Sequence, residues 1–88
     1  MKFEVQASML VNEGGVQCVP LVFARPLERG VPVRLGKAAF LHGARVSTLD
    51  PDRASERGPG VVAFVLEDPM DVRKFQRGDV VELESHDG

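Results

Sequence analysis

Over KFEVQASMLVN, residues 2 to 12, apolar and polar side chains alternate. Phe3, Val5, Ala7, Met9 and Val11 fall on one side, and Lys2, Glu4, Gln6, Ser8 and Asn12 on the other. A period of two held this long is the pattern of a half-buried β-strand, because successive side chains of an extended chain point to opposite faces. Gly14-Gly15 follows, and then VQCVPLVFA (16–24), apolar on both faces. The glycine pair reads as the tight turn of a hairpin, since a positive φ is cheap only without a β-carbon. A phosphate-cradling loop would need backbone amides converging at a helix N-terminus, usually with a lysine and a hydroxyl behind them. Here a strand follows, with neither. The pair is a bend.

The rest of the chain repeats this grammar. Pro20 lacks an amide hydrogen, which places it at an edge or a bulge. After the turn-like RPLERG, the run VPVRL (31–35) predicts a strand with Val31, Val33 and Leu35 inward. KAAFLHGARVSTL (37–49) predicts two short strands, or one strand bent at Gly43. DPDRASERGPG (50–60) combines prolines, glycines and charges without an apolar period, and predicts a long, exposed and mobile loop. GVVAFVLE (60–67) reads as a central strand, and DPMDVRKFQRGD as a connection anchored by Val72 and Phe75. DVVELES (79–85) is the closing strand, with residues 86–88 as a tail. No helix of convincing length emerges. Five to seven short strands, counted as six, imply an all-β fold: a small β-barrel or sandwich forming one domain over residues 1–88.

With 43% hydrophobic and 27% charged residues, the 88-residue chain has the composition of a globular domain rather than a disordered one. It holds no run of about 18 apolar residues, and its N-terminus lacks the apolar block of a secretory signal. One cysteine cannot form an internal disulfide. The expected address is therefore the cytoplasm. The net charge of −2 is unevenly spread. Residues 25–45 hold Arg25, Arg29, Arg34, Lys37 and Arg45 against the single Glu28, a basic middle between acidic flanks. These five side chains are the candidate patch for RNA or another partner; the competing reading is solvated strand faces and loop ends.

Reactive constellations are sparse. A catalytic thiol needs a base or a positive neighbourhood. Nothing in the sequence brings His42 to Cys18, and His86 lies in the tail, so Cys18 reads as a small buried hydrophobe among Val16, Val19 and Leu21. One cysteine and two distant histidines close no zinc site. Asp50 and Asp52 lack the spacing of a calcium loop. Glu67, Asp68 and Asp71 read as solvated charge on a connection, and Arg77-Gly78-Asp79 as a turn into the last strand. The five phenylalanines fall mainly on core positions and form no ladder for stacking bases. No catalytic residue, metal or cofactor is implied.

Two stretches carry a resemblance. FEVQASMLVNEGGVQCVPLVFARP, with Glu13, Gly14, Gly15, Pro20, Arg25 and Pro26, and FQRGDVVELES, with Gly78, Asp79, Glu82 and Leu83, resemble the third, C-terminal β-barrel domain of elongation factor Tu. The similarity covers about half of the chain. It implies a translation-factor-like barrel. Where that family carries tRNA-contacting basic residues after the glycine pair, this chain has Val16 and Gln17, so no such contact is transferred. The expected function is a non-enzymatic binding module that acts by surface contact with a protein or RNA partner. The alternatives are a structural protein that homodimerises through a sheet edge, or a small enzyme using Cys18 or carboxylates.

Overall fold

The computed structural model describes residues 1–15 and 17–87; the side chain of Glu13 is also outside the described set. Six strands run in chain order: β1 (Lys2–Glu13), β2 (Gln17–Pro26), β3 (Ala38–Leu41), β4 (Ala44–Leu49), β5 (Val62–Leu66) and β6 (Val80–His86). A short helix α1 (Pro51–Arg57) joins β4 to β5, and a 3-10 turn (Pro69–Lys74) joins β5 to β6. The strands close a barrel in the order β1-β2-β5-β4-β3-β6, with every pairing antiparallel. The all-β barrel expected from the strand count is the observed fold.

The barrel interior is filled by its own staves. Phe3, Val22, Leu41, Phe64, Leu66 and Val81 are all 2% exposed or less. Phe3 and Phe64 meet edge to face at 5.1 Å, a favoured aromatic geometry. Phe75, just past the 3-10 turn, is buried in the same core, and Val72 packs against it, as expected of anchors for that connection.

A second, smaller core lies on the outer wall. Leu21 and Phe23 of β2, Ala63 of β5 and Ala54 of α1 are buried together, with Met9, Val11 and Val65 partly buried around them. β2 is thus covered on both faces from Pro20 to Ala24, as its two-sided apolar sequence requires. β1 departs from expectation here. Phe3 and Val5 enter the barrel core, whereas Ala7, Met9 and Val11 join the outer one. The cause is a bulge: Val5 pairs with Ala24 but Ala7 pairs with Phe23, so one extra residue on β1 turns every later side chain to the other face.

Several connections also differ from the sequence reading. Residues 31–35 pair with nothing as a strand, and Val31 is 44% exposed, while Val33 and Leu35 only lean on the core. Residues 50–60 are not a loop throughout: Asp50 caps α1 by accepting from the Arg53 amide at 3.1 Å, and Pro51 occupies the first turn. His86 belongs to β6 rather than to a tail, paired with Ala38 and bridged to Gly36. The stretch 37–49 forms two strands joined at His42-Gly43, with the His42 amide donating to the Glu82 carbonyl.

Candidate anion-binding surface

The 11 residues between β2 and β3 are fastened at both ends. Leu27 N–H donates to the Lys2 carbonyl at 2.9 Å, the Arg34 carbonyl accepts from Ser85 Oγ at 2.7 Å, and Lys37 N–H donates to the His86 carbonyl at 2.9 Å. The chain between these points arches over the barrel surface and separates two adjoining grooves. One, of about 460 Å³, is lined by Arg25, Glu28, Arg29, Gly30 and the opposing Pro59-Gly60. The other, of about 330 Å³, is lined by Pro32, Arg34, Met1 and Ser85. Val31 borders both.

Of the five basic candidates, three line these two grooves: Arg25, at the end of β2, and Arg29 in the larger, and Arg34 in the smaller. All three are exposed, and among the described residues none has an ion-pair partner. Arg25 Nη1 lies beside Gly60 on the opposite lip. Glu28 sits in the larger groove and offsets part of its charge. Lys37 is exposed next to the arch but lines neither groove. Arg45 is placed elsewhere: on β4 its Nε lies 3.5 Å from Glu67 Oε1, and its guanidinium stands 5.8 Å over the Phe40 ring. Three planar forks without partners can each take two oxygens of a phosphate or carboxylate.

The reactive candidates are dispersed or occupied. Cys18 is exposed, not buried; it sits on the part of β2 that extends past β5, where no neighbour covers it, and its Sγ lies 3.7 Å from Asn12 Oδ1. His42 packs its ring 5.9 Å from Phe75 at the β3–β4 turn. Glu67 pairs with Arg45, Asp68 caps the 3-10 turn through the Met70 amide, and Asp71 pairs with Lys74 at 3.2 Å. In Arg77-Gly78-Asp79 the Asp79 carboxylate accepts from the Gln76 amide and the Gly78 amide donates to Val5, so the tripeptide does lead the chain into β6. Among the described residues, no cluster of metal-ligating side chains forms, and no helix is long and apolar enough to cross a membrane.

Sequence reasoning missed the helix, although Asp50-Pro51 and Asp68-Pro69 both carry the cap-then-proline signal of a helical start. It also had no means of knowing that Glu67 holds Arg45. Compared with known proteins, the chain matches no family model, no curated protein and no solved structure.

Proposed function

We propose that this chain is a non-enzymatic binding module that takes the phosphate backbone of a structured RNA along the arch bearing Arg29 and Arg34 and beside Arg25 at the end of β2. The observation that carries the reading is the convergence of three exposed guanidinium groups, without ion-pair partners among the described residues, on two adjoining grooves of a chain whose net charge is −2. Local positive charge attracts a polyanion even where the total is negative. The carboxylates that an enzyme would use are tied to cations or caps, which favours contact over chemistry. An exposed, unpaired cysteine suits the reducing cytoplasm as its compartment.

The test is a titration with structured RNA at two salt concentrations. Neutralising about three phosphates gives an affinity that falls roughly 20- to 40-fold between about 50 and 200 mM salt. Arg25→Ala with Arg29→Ala should flatten that dependence by about two counterions. Absence of binding at low salt, or a double variant that binds RNA as the parent does, rules the RNA reading out; binding to an acidic protein alone would redirect it.

A further inference from the structure

β1 and β2 outrun the barrel. β6 pairs with β1 only over Lys2–Glu4, and β5 pairs with β2 only over Leu21–Ala24. The remainder, up to the Gly14-Gly15 turn, is a two-stranded arm with two outer edges. The edge of β2 is guarded by Pro20, which offers no donor. The edge of β1 has no such guard. From Gln6 to Asn12 it carries no charge and no proline, the two commonest deterrents to strand addition.

Pro20 also sets the phase of this edge. It stands opposite Leu10, and a residue without N–H cannot exchange the paired bonds of a hydrogen-bonded position. Leu10 therefore occupies a non-hydrogen-bonded site, and its own N–H and C=O point outward. Ser8 and Asn12, two residues to either side, do the same. Closer to the barrel the outward groups of this edge are used: Val5 N–H donates to Asp79 and its carbonyl accepts from Gly78, each at 2.8 Å. Among the described residues, no main-chain bond does this for Ser8, Leu10 or Asn12, although the Ser8 hydroxyl donates to the Phe75 carbonyl at 3.0 Å.

We infer that a second copy of this chain occupies the edge, with residues 8–12 of the two copies pairing antiparallel about a two-fold axis at Leu10. The pattern is self-complementary in that register. Leu10, 49% exposed in the single chain, meets Leu10 of the other copy. Ser8 faces Asn12, polar against polar, and on the other face Met9 meets Val11, which extends the outer apolar wall across the junction. A two-fold centred one residue earlier sets Ser8 against Leu10 and loses this match.

The experiment is sedimentation of the full chain from about 10 μM to about 1 mM, where mass action reveals a weak dimer. The expected result is a concentration-dependent shift to twice the monomer mass. Leu10→Lys, which opposes two like charges on the axis, should remain monomeric while its circular dichroism and melting match the parent. In a Cys18→Ser background, Leu10→Cys should cross-link under copper–phenanthroline oxidation, because facing residues of this class lie about 5.5 Å apart, within disulfide reach. Val80→Cys, equally exposed but away from the arm, should not. A parent that stays monomeric at the upper concentration, a Leu10→Lys variant that dimerises like the parent, or cross-linking at position 80 as fast as at position 10 would each overturn the proposal.

Discussion

One strand has two environments. At its start, β1 is a barrel stave: Phe3 and Glu4 are flanked by β2 on one side and β6 on the other, and Phe3 is fully buried. Past the bulge at Gln6 it is half of a hairpin with a single strand neighbour, its apolar side chains turned to the outer wall and only half covered, and Ser8 tied through its hydroxyl to the Phe75 carbonyl. Closing a sheet removes its edges, and the difference shows what closure does for this chain. The ring absorbs both hydrogen-bonding sides and one full face of each stave, whereas the arm keeps an edge and a face for other uses. A stability measurement should therefore distinguish the two regions sharply.

The largest effect belongs to the ring. Phe64→Ala empties a site that is 0% exposed and removes the edge-to-face partner of Phe3. A loss of about 3–5 kcal/mol is expected for a buried phenylalanine. A domain of this length has about 4–13 kcal/mol in total, so the variant should unfold at a far lower urea concentration with an unchanged slope. A shift below about 1 kcal/mol would mean that the ring is no more cooperative than the arm.

That contrast was only half legible in the residues. The strands were, because period-two runs and Gly or Pro breaks are local. The bulge was not: Phe3 to Val11 alternate without a break in sequence, yet which face each buries depends on where β6 stops and what covers β2 outside. Val31, Val33 and Leu35 alternate too, but their backbone is tied to no strand, so the pattern records partial burial rather than pairing. Cys18 has apolar neighbours in sequence and solvent in space, since it lies on the arm. α1 escaped notice because it buries only Ala54 and thus has no apolar stripe to read. The basic middle was visible as a count of charges; that Arg45 leaves it for Glu67 is a contact between β4 and the end of β5, beyond the reach of any local pattern.

Two glycines sharpen the comparison at similar, positive φ. Gly36, φ +66°, sits where the β2–β3 arch meets β6, and a β-carbon there would strike Asp87 Oδ1 and come within 2.9 Å of the His86 carbonyl oxygen. Gly36→Ala combines the left-handed penalty of about 1–2 kcal/mol with displacement of main chain at the barrel seam, for about 2–3 kcal/mol together. Thermal unfolding followed by circular dichroism reads it directly. On the RNA proposal it should also weaken that binding, because the arch carrying Arg29 and Arg34 is fastened beside it through Lys37 and His86.

Gly15, φ +79°, poses the same conformational demand at the tip of the arm, but a β-carbon there meets nothing within 4 Å. Gly15→Ala should therefore show the conformational cost alone, about 1 kcal/mol. With no atom of the described residues within reach of that β-carbon, the loss should appear without any change in the denaturant slope, and the proposed RNA affinity should stay at the parent value. The Leu10 edge lies several residues from the turn and keeps its register through the β1–β2 pairs from Ser8 to Asn12, so the dimer should persist as well. Measured side by side, the two alanine variants isolate surroundings from φ. If Gly15→Ala costs as much as Gly36→Ala, the arm tip is packed against something, and the division between a closed ring and an open arm fails at its simplest point.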